Sequence, residues 1–332
     1  MPEHDLIERL DDAVEAMLRR PDAARVPDDR ELASLWRVAA DLVELPRPSF
    51  RTRLKSDIER RASMATATVT TAPPKWKPKG FRSLTPYLIV RDADAMITFM
   101  KDAFGALEKG RAKAPDGRVM HAEVQIGDSM LELGEGGEGY PPRPAALHLY
   151  VDDADSAYAR AVAAGATTLF PPGDRPYGDR EADVKDPFGN NWYIGTHKEG
   201  GPIPPGMNTL TLTLHAKATD KLIGFVKDAF GAEEVEVTRS PDGTVVHAQL
   251  RLDDTLLELG EARAGVVDEM PAGIHYYVPD VDAAYAKALA AGATSVAPPE
   301  LKPYGERMAH VNDAWGNQWF LATLVKDPRT SA

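Results

Sequence analysis

The stretch PDGRVMHAEVQIGDSMLELGE, at positions 115–135, carries a histidine and carboxylates at a spacing that could support acid–base or metal chemistry. Its alternation of apolar and polar residues predicts two strands joined by a two-residue Gly-Asp turn. In that register Glu123 faces Glu132 across the hairpin, and His121 and Gln125 share their face. Two carboxylates this close repel, so they persist when one is protonated or when a cation lies between them. We therefore single out His121, Glu123 and Glu132 as candidate catalytic or metal-binding residues.

The same stretch recurs as PDGTVVHAQLRLDDTLLELGE at positions 241–261. Here Gln249 replaces Glu123 and lies opposite Glu258, and Arg251 lies diagonal to Glu258. A guanidinium group beside the carboxylate would neutralise its charge and would weaken the binding of a divalent cation. We therefore expect the first of the two stretches to be the more reactive or metal-binding one.

The repetition extends well beyond this stretch. The hexapeptide KDAFGA occurs at 101–106 and again at 227–232, and the same motifs follow in the same order after each occurrence. Within each copy the hydrophobic period changes between that of strands and that of helices, and it predicts the order β-α-β-β-β twice. The chain is therefore predicted to have an α+β fold with four such modules. We place the two copies at 81–198 and 207–326, with a linker at 199–206.

The rest of the chain constrains the class of protein. Apolar residues at helical spacing predict helices over 1–62, and a stretch rich in Thr and Pro predicts a linker over 63–80. The net charge of −12 disfavours nucleic acid as a partner, and the absence of a long apolar run disfavours a membrane. The sequence has no cysteine and no signal-peptide pattern at its start, which favours a cytoplasmic location.

The order of modules, together with the motifs LELGE, LHLYVDD, AGAT and VKDPFGNNWYI, resembles the vicinal oxygen chelate (VOC) superfamily. That superfamily includes glyoxalase I, extradiol dioxygenases and proteins of the bleomycin resistance type, and the phrasing of the motifs is closest to its PhnB-like branch. The resemblance implies that two modules of each copy curl their sheets into a half-open barrel. It also implies that a ligand lies in the cleft of each barrel.

Metal-dependent members of this superfamily take one ligand from each of the first, fourth, fifth and eighth strands. The corresponding positions are Thr85, Glu132, His148 and Tyr193 in the first copy, and Thr211, Glu258, His275 and Phe320 in the second. The central Glu and His are present in both copies, but the outer ligands are replaced by residues that bind these metals poorly or not at all. The resemblance thus implies an incomplete ligand set, in which Glu132 and His148 could hold one divalent metal ion in the first copy.

The other candidates for contact with a ligand are mostly aromatic. They are Tyr150, Tyr177, Arg180, Trp192 and Tyr193 in the first copy, and Glu258, His275, Tyr277 and Trp319 in the second. Large flat side chains with one polar end suit a small organic molecule, but they also suit a protein core. Arg180 could hold an anionic group, or it could pair with a nearby carboxylate.

Two functions of different classes follow. The first is a small-molecule binding protein of the bleomycin resistance type, with an aromatic-lined cleft. The alternative is a metal-dependent lyase, isomerase or dioxygenase that uses Glu132 and His148, with Glu123 or His121 as an additional ligand or base. The sequence leaves open whether the two copies pack on each other and which oligomeric state the protein adopts.

Overall fold

The computed structural model of the chain describes residues 75–326, apart from residue 138. The helices predicted over 1–62 lie outside the described residues, as does most of the linker predicted over 63–80. Residues 75–80 form turns. Within the described part of the chain, no helix is long and apolar enough to cross a membrane.

Module 1 begins the described fold. It comprises β1 (Leu84–Val90), α1 (Ala93–Phe104), β2 (Leu107–Lys113), β3 (Val119–Ile126) and β4 (Ser129–Glu135). The carboxylate of Asp92 caps α1 by accepting a hydrogen bond from the backbone N–H of Ala95, and α1 ends at Gly105, which has a φ of +68°. Only glycine adopts this left-handed conformation without a steric penalty, so KDAFGA encodes the end of a helix.

The other three modules repeat this order. Module 2 comprises β5 (Ala146–Tyr150), α2 (Ala154–Ala163), β6 (Thr167–Asp174), β7 (Asp179–Lys185) and β8 (Asn191–His197). Module 3 comprises β9 (Leu210–Ala216), α3 (Thr219–Phe230), β10 (Glu233–Arg239), β11 (Val245–Leu252) and β12 (Thr255–Glu261). Module 4 comprises β13 (Gly273–Tyr277), α4 (Val281–Ala290), β14 (Thr294–Leu301), β15 (Glu306–Asn312) and β16 (Gln318–Leu324). The prediction of four β-α-β-β-β modules in an α+β fold is confirmed.

The modules pair differently from the expectation. One eight-stranded sheet has the order β14-β15-β16-β13-β1-β4-β3-β2, and the other has the order β10-β11-β12-β9-β5-β8-β7-β6. Modules 1 and 4 are therefore joined by the antiparallel pair β1–β13, and modules 2 and 3 by β5–β9. Each sheet takes one module from each copy, whereas the expected barrel would have used two modules of the same copy.

The two modules of one copy contact each other through their helices. The guanidinium Nε of Arg160 on α2 donates a hydrogen bond of 3.0 Å to the carbonyl of Ala103 on α1. The rings of Phe104 and Trp192 lie 4.6 Å apart, and Phe230 and Trp319 make the same contact at 4.4 Å in the second copy. A continuous apolar core thus connects both copies behind the two sheets.

Strand alternation divides the last strand of each module between this core and the opposite face of the sheet. Trp192 and Trp319 are fully buried, and their indole N–H groups donate to Asp186 and Asp313 at 2.9 and 3.1 Å. The expectation that these tryptophans contact a ligand is therefore wrong, because both belong to the helix-facing core.

Candidate functional site

Modules 1 and 4 form a concave sheet face around a cavity of about 850 Å3, which we call the first cleft. Its polar floor is built by both copies of the repeat: His121, Glu123 and Glu132 come from module 1, and His275 and Glu306 come from module 4. A cleft of this size is typical of small-molecule sites.

The hairpin of β3 and β4 has the predicted register. Glu123 lies opposite Glu132, and the Nε2 atom of His121 is 3.7 Å from Oε1 of Glu123. One ligand atom from each of these three residues can be chosen so that all three lie within 4.8 Å of one another. Gln125 does not join them, because its amide donates to the carbonyl of Gly127 at 2.9 Å.

Module 4 adds a histidine between two carboxylates. The Nδ1 atom of His275 is 2.6 Å from Oε2 of Glu132, and its Nε2 atom is 3.9 Å from Oε2 of Glu306. The His275 side chain is only 6% exposed, and its Nε2 has no hydrogen-bond partner within the described residues. The hydroxyl of Tyr277 donates to Oε1 of Glu306 at 2.8 Å, and its ring stacks on His275.

The carboxylates determine the protonation of this floor. Burial alone would lower the pKa of His275, but the charges of Glu132, Glu306 and Glu123 outweigh it and raise that pKa. Burial would also lower the pKa of His121, yet its hydrogen bond with Glu123 and the charge of Glu132 raise it. Both imidazoles are thus held towards the cationic form by the carboxylates around them.

Aromatic side chains form the walls of the first cleft. The ring of Tyr87 lies 5.2 Å from Phe320, and Phe320 stacks on His310 at 4.5 Å. Tyr140, on the loop after β4, stacks on His310 at 5.6 Å, and its hydroxyl is 3.4 Å from Nδ1 of His310. Tyr304 also lines the cavity. Sequence reasoning missed Tyr87 and Tyr140 as site residues, although the alternation along β1 places Tyr87 on the same face as Thr85.

Modules 2 and 3 form the corresponding concave face, which we call the second cleft. Here Nδ1 of His148 is 3.1 Å from Oε2 of Glu258, and Thr213 donates to the same oxygen at 3.1 Å. Tyr150 donates to Asp179 at 2.9 Å. Burial opposes the charge on both members of the main pair, but their mutual attraction wins: the pKa of His148 is raised to about 9 and that of Glu258 is lowered to about 2.

Further polar side chains of the second cleft are hydrogen-bonded to one another. Glu181 accepts hydrogen bonds from Nε of Arg175 at 3.2 Å and from the hydroxyl of Tyr177 at 3.0 Å. The hydroxyl of Tyr193 lies 2.7 Å from Nε2 of His215. The polar ends of the predicted residues Tyr150, Tyr177 and Tyr193 are therefore bound to other side chains of modules 2 and 3.

Comparison with known proteins identifies the fold family. The model of the glyoxalase/bleomycin resistance protein/dioxygenase superfamily matches residues 82–194 and 210–321, which is more than half of the chain. The chain belongs to this superfamily. The two matched stretches correspond to the two predicted copies of the VOC domain.

The chain is also similar to individual proteins and to a solved structure. An uncharacterized protein of Mycobacterium bovis, Mb0911c, is 38% identical over 124 residues, which span 34% of this chain and 82% of that protein. Rv0887c, an uncharacterized protein of Mycobacterium tuberculosis, is 38% identical over 124 residues, which span 73% of its length and 34% of this chain. The crystal structure of glyoxalase I from Zea mays aligns with a TM-score of 0.55 at 18% identity, over 72% of this chain and 92% of that chain. This last likeness is one of fold.

The VOC domains here do not bring the expected metal ligands together. Glu132 lies beside His275 in the first cleft, and His148 lies beside Glu258 in the second. The expectation of Glu132 and His148 in one site is corrected by the module pairing, because each VOC sheet combines modules from both copies. Among the described residues the hydrogen-bond partners of Glu258 are His148 and Thr213, and the expected role of Arg251 is not supported.

The register of the first strands also corrects the outer ligand positions. The parallel pairing of β1 with β4 aligns Tyr87, not Thr85, with Glu132. The pairing of β9 with β12 likewise aligns Thr213, not Thr211, with Glu258. Neither a tyrosine nor a threonine is a common ligand for a divalent metal in a mixed N/O site, so the family ligand set stays incomplete after the correction.

Arg180 lies away from both clefts. Its guanidinium makes two hydrogen bonds with Asp155 at the start of α2, at 2.7 and 2.8 Å. The second copy repeats this pair with Arg307 and Asp282. Of the two roles considered for Arg180, the structure therefore assigns the pairing with a nearby carboxylate.

Proposed function

We propose that the protein binds a small organic molecule in the first cleft. The observation that carries this proposal is the cavity of about 850 Å3, which has aromatic walls from both copies and a polar floor of histidines and carboxylates. Ligand sites in proteins combine these features, since apolar walls supply affinity and a few placed polar groups supply orientation. Tyr87, Tyr140 and Phe320 form the walls of the binding site.

Membership of the VOC superfamily supports a ligand in this cleft. On the floor of the first cleft Nε2 of His275 is buried and has no hydrogen-bond partner among the described residues, and the same is true of its counterpart in the second cleft, Nε2 of His148. Buried polar groups normally find partners, so Nε2 of His275 suits a group of the ligand. In the second cleft the hydroxyls of Tyr150, Tyr177 and Tyr193 already have side-chain partners.

A variant that fills the first cleft tests this proposal. Ala112 lies on the edge strand β2 and lines the cavity, and Thr238 is its exposed equivalent on β10. A fragment library is screened by ligand-observed NMR on the full chain and on Ala112→Trp and Thr238→Trp. We expect fragments that bind the parent protein and the Thr238→Trp control but not Ala112→Trp. Binding that both variants retain, or no bound fragment at all, would contradict the proposal.

A second candidate function is metal-dependent catalysis, for which the group of His121, Glu123 and Glu132 is the specific support. Their N and O donors suit a divalent ion such as Zn, Mn or Fe(II), and their ligand atoms lie close enough to share one. These three residues would hold the ion, which would supply a Lewis acid to a bound oxygen of the substrate. His275, hydrogen-bonded to Glu132, would orient that carboxylate.

Elemental analysis separates the two candidates. The full chain is purified without chelators, loaded in turn with Zn, Mn, Ni and Fe(II), and compared with Glu123→Gln and with Gln249→Glu, which alters the equivalent position of the second copy. About one tightly bound ion per chain that only Glu123→Gln removes would favour the enzyme. The same metal content in all three proteins would count against this metal site.

A further inference from the structure

The floor of the first cleft carries more negative than positive charge. Among the described residues it contains the carboxylates of Glu123, Glu132 and Glu306 and the two imidazoles of His121 and His275. Full protonation of both imidazoles still leaves one negative charge on the floor. Arg118 and Glu135 also line the cavity, but they carry opposite charges and leave this excess unchanged.

The negative charges of the three carboxylates converge on the side chains of His275 and Tyr277. The charges of Glu132, Glu306 and Glu123 all raise the pKa of His275, and after burial the same three charges raise that of Tyr277. Glu306 is itself buried, with 9% of its surface exposed, and it accepts a hydrogen bond from Tyr277. A buried negative charge is costly unless a cation or several donors approach it, so this spot favours a cation.

One oxygen of the floor shows where the cation would lie. The Nδ1 atom of His275 is hydrogen-bonded to Glu132, and in the cationic form that the carboxylates favour its Nε2–H has no acceptor within hydrogen-bond distance among the described residues. Oε2 of Glu306 lies 3.9 Å from that Nε2, and Tyr277 donates to the other oxygen, Oε1. A ligand ammonium beside Oε2 of Glu306 would therefore add a donor to this buried carboxylate.

The walls above this spot suit the rest of such a ligand. Tyr87, Tyr304 and Phe320 line the cavity, and the faces of aromatic rings attract organic cations as well as flat apolar groups. No lysine lines this cleft within the described part of the chain, so no flexible ammonium of the protein competes for the carboxylates.

We propose that the first cleft takes an organic ammonium ion, that is, a protonated amine with an apolar or aromatic body. The ammonium lies beside Glu306 and Glu123, and the body lies against Tyr87 and Phe320. This inference rests on the proposed small-molecule function and adds the charge of the ligand to it.

Three matched probes test the charge. Calorimetric titration of the full chain at pH 7.5 compares 2-phenylethylammonium, the uncharged 2-phenylethanol and the anionic 3-phenylpropanoate. We expect the ammonium to bind about tenfold more tightly than the alcohol, because hydrogen bonds to charged groups are worth more than neutral ones. We expect the anion to bind most weakly.

Two variants locate the effect. Glu306→Gln and Glu123→Gln should each remove most of the preference for the ammonium over the alcohol, whereas Asp179→Asn, the equivalent of Glu306 in the second cleft, should keep it. Thermal unfolding is recorded for each variant. If Glu306→Gln fails to fold, the partly exposed Glu123 still provides the test.

The outcomes separate the ammonium assignment from the proposed small-molecule function. Equal binding of the ammonium and the alcohol overturns the ammonium assignment and leaves the small-molecule function in place. Tightest binding of the anion overturns the assignment in the same way. A failure of all three probes to bind at millimolar concentration overturns both the assignment and the proposed function.

Discussion

The two clefts are made from the same duplicated parts, yet one is open and lined by aromatic rings while the other holds side chains paired with each other. Three replacements account for much of this difference. Ile89, Phe320 and Met308 line the first cleft, and their equivalents in the second are His215, Tyr193 and Glu181. In each case an apolar side chain has a polar counterpart with a partner nearby.

Replacement of side chains can thus give a duplicated scaffold two different concave faces. Hydrogen-bonded pairs such as Tyr193 with His215 occupy the concave face, whereas apolar side chains without polar partners leave it available. The two floors have similar contacts, since His148 lies near Glu258 and Glu181 as His275 lies near Glu132 and Glu306. In the first cleft, His275 and these two carboxylates line the cavity of about 850 Å3, which water or a ligand can enter.

The largest expected effect is on stability, when the main pair of each floor is broken. Glu258→Ala should lower the free energy of unfolding by about 3 kcal/mol, because it leaves His148 buried without its carboxylate. Glu132→Ala should cost about 1–2 kcal/mol, since water in the adjoining cavity can solvate His275. Urea unfolding at pH 7 measures both losses, and equal losses would contradict the difference between the floors.

The pH dependence of stability should reflect the charged pair of His148 and Glu258 on the floor of the second cleft. The pKa of His148 is raised from 6.5 to about 9 in the folded protein, so its contribution is complete below pH 6.5 and is lost as the pH rises through 9. We expect the wild type to lose roughly 3 kcal/mol between pH 6.5 and 9.5 relative to Glu258→Gln, which lacks the charge that causes the shift. Urea midpoints at three pH values measure this, and parallel curves for the two proteins would refute it.

At acidic pH the carboxylate of Glu258 controls the contribution of this pair to stability. The pKa of Glu258 is lowered from 4.5 to about 2, so the contribution of the carboxylate is present above pH 4.5 and is lost as the pH falls through 2. The same wild-type and Glu258→Gln pair should therefore converge at both ends of the pH range. The two ends describe one coupled pair, so their contributions are not added.

The next largest effect is expected on ligand binding, when residues are exchanged between the clefts. Ile89→His with Phe320→Tyr introduces the hydrogen-bonded pair of the second cleft, and we expect about tenfold weaker binding of 2-phenylethanol because the pair occupies apolar space. The uncharged probe keeps this test independent of the charge of the ligand. The reverse exchange, His215→Ile with Tyr193→Phe, is the control and should leave binding in the first cleft unchanged. Unchanged affinity in the first variant would show that these residues do not define the open cleft.

The sequence predicted the parts of this comparison but not their assembly. Strands, helices and the register of Glu123 opposite Glu132 follow from local periodicity and a two-residue turn, and the structure confirms them. The pairing of modules does not follow, since the strands β1, β5, β9 and β13 have similar apolar patterns and nothing local distinguishes their partners. The assignment of Glu132 and His148 to one site failed for that reason. Trp192 failed as a ligand contact because alternation leaves open which face of a strand meets the core.

The smallest expected effect concerns Tyr140, the wall residue whose counterpart in the second copy, Val266, is not aromatic. Tyr140→Ala should weaken binding of 2-phenylethanol about threefold to fivefold through loss of an aromatic contact, while Tyr140→Phe should change it less than twofold. The phenol hydroxyl contributes little because it lies 3.4 Å from His310, and burial lowers the pKa of His310 to about 4, so that ring is neutral and a weak partner at pH 7. Val266→Ala, on the corresponding exposed loop of the second copy, is the matched control and should have no effect. A loss in Tyr140→Phe as large as that in Tyr140→Ala would show instead that the hydroxyl, not the ring, positions the ligand.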